Sequence, residues 1–93
     1  MPLPIEKTTI GPARFKRRDT GQPIHAMKVQ DVTLLAIRDW VPDAHTWAFS
    51  VVIPSPDGGE VAAAPGDWVW TADGRMFETA SDADFRAMTE PIR

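Results

Sequence analysis

Cysteine is absent from this chain of 93 residues. The chain therefore cannot form a disulfide framework, a thiolate metal site or a cysteine nucleophile. No apolar run approaches the roughly 18 residues of a membrane-spanning helix, and the N-terminus lacks the apolar segment of a signal peptide. These absences predict a cytoplasmic protein without a membrane partner.

Recognisable catalytic motifs are also missing. The sequence contains no phosphate-binding or dinucleotide-binding glycine motif and no Gly-x-Ser-x-Gly nucleophile elbow. The two histidines, His25 and His45, do not have the spacing of zinc ligands, although Asp43 could place a carboxylate near the His45 imidazole. We therefore expect no enzymatic activity, no cofactor and no resident metal.

The charges are unevenly distributed along the chain. The formal net charge is −3, but residues 1–28 carry six cations and two acids, whereas residues 29–93 carry four arginines and eleven acids. The first segment is thus +4 and the second −7. A basic segment against an acidic body is either self-complementary or an electrostatic docking surface.

Residues 65–78 carry the most informative structural pattern. Asp73-Gly74 lies between two aromatic-rich runs, and a two-residue Asp-Gly loop is typical of a type I′ turn. That loop predicts a hairpin in which Trp70 lies opposite Phe77. Because side chains alternate along a strand, Trp68, Trp70 and Phe77 are expected to share one face. They form either part of the core or an aromatic platform for a ligand.

Turn-forming residues at 19–21, 55–59 and 65–66 divide the remaining chain into short elements. The charges of residues 13–18 favour an edge strand, because charged side chains discourage further pairing. Residues 1–12 are expected to be a flexible arm and residues 13–93 a single domain. Apart from the hairpin, strands are predicted at residues 5–10, 13–18, 23–29, 47–53 and 60–64.

Two segments are candidates for helices. Asp31 is a possible N-cap for residues 31–41, where Val32, Leu35, Ala36 and Trp40 recur at helical spacing, although the β-branched residues there leave a strand as the alternative. Ser81 is expected to cap a helix over residues 82–89. The predicted fold class is α+β: a small antiparallel sheet of four to six strands with one or two short helices.

Part of this pattern resembles a known family. The residues are Gly66-Asp67-Trp68-Val69, Gly74, Phe77, Phe85 and Glu90-Pro91, together with the basic run Arg14-Phe15-Lys16-Arg17-Arg18 followed by Pro23-Ile24-His25-Ala26. The sequence is similar here to a widespread group of small bacteriophage and prophage proteins of uncharacterised function. The resemblance implies a phage-type origin, and therefore the cytoplasm of a bacterial host, but no mechanism.

A binding function fits these observations best. We expect a phage-type accessory protein that contacts a host protein, for example as an inhibitor of an anti-phage defence protein, with its acidic body facing a basic groove. One alternative is an accessory nucleic-acid binder, because the basic run interleaves cations with an aromatic residue. Another is a small-molecule module with a pocket near Trp68 and Trp70. The candidate interaction residues are Asp67, Trp68, Trp70, Asp73, Arg14, Lys16, Arg17 and Arg18.

Overall fold

The computed structural model describes residues 11–92. They form eight strands and two helices, so the predicted α+β class is confirmed. The strand expected at residues 5–10, and most of the arm expected at 1–12, lie outside the described residues. In chain order the elements are β1 (Ala13–Arg17), β2 (Pro23–Lys28), α1 (Leu34–Trp40), β3 (His45–Trp47), β4 (Ser50–Pro54), β5 (Glu60–Ala63), β6 (Trp68–Thr71), β7 (Phe77–Ala80), α2 (Asp82–Met88) and β8 (Thr89–Pro91).

The strands form two antiparallel sheets. The large sheet has the order β7-β6-β2-β1-β8, and the small sheet has the order β3-β4-β5. One face of the large sheet packs against the small sheet and α1 through a core that includes Met27, Val29, Ile37, Val51, Ile53, Val69 and Phe77. The opposite face packs against α2 through a second core of Ile24, Ala26, Trp70 and Phe85.

The β6–β7 hairpin forms, but its predicted register is wrong by one residue. Trp70 pairs with Glu78 and Thr71 with Phe77, so the loop comprises residues 72–76. The Asp73 carboxylate accepts hydrogen bonds from the backbone N–H groups of Arg75 and Met76 at 2.8 and 3.0 Å, and this stabilises a wider loop. Gly74 has a φ of +76° as expected, but Asp73 is not at positive φ, which excludes a type I′ turn.

The register places Phe77 on the opposite face of the large sheet from Trp70, because a one-residue shift reverses every side chain of a strand. Phe77 lies in the first core, where its ring meets Trp40 edge-on at 5.0 Å between centroids. Trp70 lies in the second core and is only 8% exposed. The prediction that Trp68, Trp70 and Phe77 share one face is therefore wrong.

The prediction that β1 is an edge strand is wrong, because β8 pairs with the side of β1 that does not face β2. After α2 the chain continues directly into β8 and returns to the sheet. Lys16 pairs with Glu90 across this added strand. Salt bridges between the Glu90 carboxylate and Lys16 and Arg18, at 3.1 and 3.5 Å, provide a charge-matched partner for the basic strand.

Residues 31–41 contain the predicted helix, but it begins later than Asp31. Helix α1 starts at Leu34 after the N-cap residue Thr33, whose hydroxyl instead donates a hydrogen bond to the Lys28 carbonyl at 2.6 Å. Within α1, Ile37 is fully buried and Ala36 and Trp40 pack against the core, whereas Leu35 and the preceding Val32 are exposed.

The prediction of a single strand at residues 47–53 is wrong. The chain reverses between Trp47 and Ser50, which pair across a two-residue loop of Ala48 and Phe49. Ala48 adopts a φ of +52°, a conformation that a residue with a Cβ seldom adopts, and so the sequence carries no turn signal here. The β3–β4 hairpin that results is absent from the prediction.

The C-terminal helix agrees with the prediction. The Ser81 hydroxyl accepts a hydrogen bond from the Asp84 backbone N–H at 3.1 Å, as an N-cap should, and Asp82 and Asp84 lie in the first turn. Phe85 is buried and Met88 is partly buried against the second core. The helix is short, and this one aromatic side chain fixes it to the sheet.

Candidate functional site

Two exposed aromatic side chains mark the tip of the β3–β4 hairpin. Trp47 is 66% exposed and Phe49 is 64% exposed. The strand register places Trp47 on the face of the small sheet opposite to Val51 and Ile53, which fill the core. Single exposed apolar residues are common on protein surfaces, but large aromatic side chains that are exposed together often mark a contact surface.

The part of the molecule that carries this hairpin is acidic. Residues 30–63, which form α1 and the small sheet, contain five acids and one arginine, a net charge of −4 with histidine neutral. By contrast, residues 11–29 carry +4 and residues 64–92 carry −4, so the large sheet and α2 are balanced overall. The acidic excess of the described residues therefore belongs to the segment that carries the exposed aromatics, which a division of the chain at residue 28 does not show.

A cleft of about 330 Å³ lies on the other side of the large sheet, beside α2. Its aromatic floor is formed by Phe15, Trp68 and Phe85. The rings of Trp68 and Phe85 are stacked, with centroids 4.2 Å apart and planes inclined by 9°, and Phe15 meets both rings edge-on. Arg18 and Arg86 also line the cleft. It therefore combines flat apolar surface with two guanidinium groups.

Two carboxylates beside this cleft are each shared by two cations. Asp82 lies 2.9 Å from Arg86 and 3.6 Å from Lys28, and it also accepts a hydrogen bond of 2.9 Å from the Trp68 indole N–H. The Trp68 hydrogen bond, then that of Arg86 and the charge of Lys28, lower the pKa of Asp82. Glu90 is shared by Lys16 and Arg18. These four cations and two carboxylates sum to +2.

The structure divides the basic run between two faces instead of gathering it into one patch. Phe15 packs into the second core, and Arg17 lies over the Trp70 ring at 5.8 Å. The Nε and one terminal nitrogen of Arg17 also donate to the two oxygens of the Asp19 carboxylate, which makes a bidentate pair. The bond from Arg17 lowers the pKa of Asp19. Arg14 is exposed and makes no ion pair among the described residues.

The hairpin residues predicted to interact are mainly structural. Asp67 accepts a hydrogen bond from the Ala64 backbone N–H at 3.0 Å and so closes the preceding turn. Asp73 organises the β6–β7 loop, and its backbone hydrogen bonds lower its pKa. Trp70 is core. Of this group only Trp68, which is half-buried in the cleft, is placed to contact a ligand.

The histidines do not form a reactive centre. His45 is exposed, with its Nδ1 at 3.8 Å from Glu60, and His25 is exposed on a different sheet. Within residues 11–92, no three His, Cys, Asp or Glu side chains come together as a possible metal site, and every buried side-chain polar atom has a hydrogen-bond partner. In the same range, neither helix has the length and apolar character needed to cross a membrane.

Sequence reasoning missed the residues that now stand out. Trp47 and Phe49 were assigned to a continuous strand, and only the reversal at Ala48 exposes both of them. Phe85 lies within the predicted C-terminal helix, but its stacking on Trp68 depends on how α2 packs against the sheet. The one signal in the sequence that points to this hairpin is the pair of aromatic residues two positions apart, Trp47 and Phe49.

Comparison of the chain with protein-family models, with curated proteins and with solved structures found no match. The resemblance to phage proteins therefore stays a prediction.

Proposed function

We propose that this protein acts by binding another protein through the β3–β4 hairpin, as a phage-type accessory protein that inhibits or redirects a host protein. The observation that carries the proposal is the exposure of Trp47 and Phe49 at the hairpin tip. Buried together in a partner's pocket, such side chains can dominate the binding energy, because aromatic anchors are typical hot spots. The phage setting rests on the sequence resemblance.

The charge of the surrounding surface defines the expected partner. Residues 30–63 carry −4, so a complementary partner presents a basic surface around an apolar pocket. Steering by these exposed charges speeds association and weakens as salt rises, since the screening length falls from about 8 Å at physiological salt to about 3 Å at 1 M. The aromatic contacts are much less sensitive to salt.

The test is affinity capture from a bacterial lysate, with and without nuclease treatment, with three forms of the protein. These are the wild type, the double variant Trp47→Ala plus Phe49→Ala, and Met76→Ala. Met76 is a matched control, because it is also a large exposed apolar residue but lies in the β6–β7 loop. The captured protein is then purified and titrated against all three forms at low and high salt.

We expect a defined protein to bind the wild type and Met76→Ala, and to be lost with the hairpin double variant. The association rate should fall as salt is raised. Retention of the same partner by the double variant would refute the hairpin as the contact. Capture that disappears after nuclease treatment would favour the nucleic-acid alternative.

A further inference from the structure

We propose a second binding site in the cleft between β1, β8 and α2, which accepts a small planar aromatic anion. This site is separate from the hairpin, since its lining belongs to the large sheet and α2 whereas Trp47 belongs to the small sheet. The proposal rests on three properties of the cleft: its flat aromatic floor, its excess of cations and its size.

The floor favours a ring. Trp68 and Phe85 lie nearly parallel, and Phe15 stands edge-on to both, so the three rings fix one another's orientation. The Trp68 indole is further held by its N–H bond to Asp82. Phe85 is only 1% exposed and supports Trp68, so a ligand would contact the partly exposed rings of Trp68 and Phe15. A planar ligand can use such fixed rings without ordering flexible side chains, and aromatic contacts of this kind contribute beyond the area that they bury.

The cations favour a negative group on that ring. Arg86 shares Asp82 with Lys28, and Arg18 shares Glu90 with Lys16, so neither arginine is fully neutralised by its carboxylate. The Arg18 contact is long, at 3.5 Å. A guanidinium has five N–H donors in a planar fork, so each arginine keeps donors for a carboxylate or phosphate oxygen.

The volume of the cleft is that of a small-molecule site. Ligand pockets usually measure about 300–1,000 Å³, and this cleft, at about 330 Å³, lies at the lower end. One ring system with a single charged substituent fits that size. The chemistry of the lining therefore selects an aromatic carboxylate or phosphate ester of one or two rings.

The test is a titration of ¹⁵N-labelled protein, followed through the indole N–H signals in a two-dimensional NMR spectrum. The probes are indole-3-carboxylate, the neutral indole-3-carboxamide of nearly the same shape, and acetate. A Trp68→Phe variant identifies the Trp68 signal among those of the four tryptophans. Arg18→Gln and Arg86→Gln test the cations. Arg38→Gln is the control, because Arg38 is an exposed arginine that is paired with its neighbour Asp39 on α1.

We expect indole-3-carboxylate to shift the Trp68 signal saturably and to bind at least about fivefold more tightly than either other probe. Each cleft arginine variant should weaken that binding by roughly 2- to 5-fold, as expected for an exposed charged contact, and Arg38→Gln should not. Equal binding of carboxylate and carboxamide, or no loss in either cleft variant, would overturn the anion site. So would the absence of saturable shifts at about 5 mM, well above a weak dissociation constant of 1 mM.

Discussion

Phe85 attaches α2 to the large sheet, and its replacement by alanine should destabilise the protein severely. Its side chain is 1% exposed and stacks on Trp68 at 4.2 Å. Truncation of a buried phenylalanine to alanine costs about 3–5 kcal/mol, which includes the cavity that remains. A domain of this size has a total stability of about 5–14 kcal/mol, so the variant loses a large part of it. The melting temperature should fall by roughly 12–40 °C, at about 4–8 °C for each kcal/mol.

Urea unfolding measures this loss directly. Circular dichroism should report global unfolding, and tryptophan fluorescence should change as the Trp68 stack is lost. The control is Phe49→Ala, which removes the same side chain from an exposed position and should change stability by no more than about 0.5 kcal/mol. If Phe85→Ala costs less than about 1 kcal/mol, or as little as Phe49→Ala, then α2 is not held on the sheet by this side chain and the packing argument fails.

Four further predictions concern turns, charge and nucleic acid. Gly74→Val should destabilise by roughly 1 kcal/mol or more in thermal unfolding, because Gly74 has a φ of +76°; an unchanged melting temperature would contradict this. Ser81→Ala should cost about 0.5–2 kcal/mol through loss of the helix cap, with Ser50→Ala in β4 as a control of the same chemistry outside a helix terminus. The pKa values of Asp19, Asp57, Asp73 and Asp82 are lowered in the folded protein. Near and below pH 4 the unfolded chain therefore binds more protons than the folded protein, and the free energy of unfolding should decline as the pH falls through the folded pKa values. The decline should be less steep in Asp82→Asn. A urea midpoint that stays constant between about pH 6 and pH 3 would exclude this linkage. Binding to a fluorescent oligonucleotide should be no better than micromolar at about 150 mM salt; tight binding lost on Arg17→Glu plus Arg18→Glu would replace the protein-binding proposal.

Several local features could be predicted from short-range chemistry. Ser81 caps a helix because its hydroxyl needs only the backbone N–H three residues later, and Gly74 turns the chain because it lacks a Cβ. The turns at residues 55–59 and 65–66 follow from the same kind of signal. In each case the partners are close in the chain, so the residue pattern alone is sufficient.

Register and pairing could not be predicted in the same way. The β6–β7 loop depends on hydrogen bonds that the Asp73 carboxylate accepts from two backbone N–H groups. These bonds favour the wider loop over the two-residue turn, and the resulting register places Phe77 on the other face. The reversal at Ala48 has no turn residue to announce it, and it is stabilised by the pairing and packing of β3 and β4. In both segments two local conformations are nearly equal in free energy, and contacts with residues far away in the chain select one of them.

The fold class, the missing cysteine chemistry and the acidic excess follow from the amino-acid sequence, because they depend on composition and on interactions between near neighbours. The folded arrangement is needed to know which aromatic side chains face solvent and which cations lie beside acids. Glu90 reaches Lys16 and Arg18 because β8 returns beside β1, and the Phe15, Trp68 and Phe85 rings meet because α2 crosses the sheet. Both candidate surfaces arise from contacts between residues far apart in the chain, and local residue patterns do not specify such contacts.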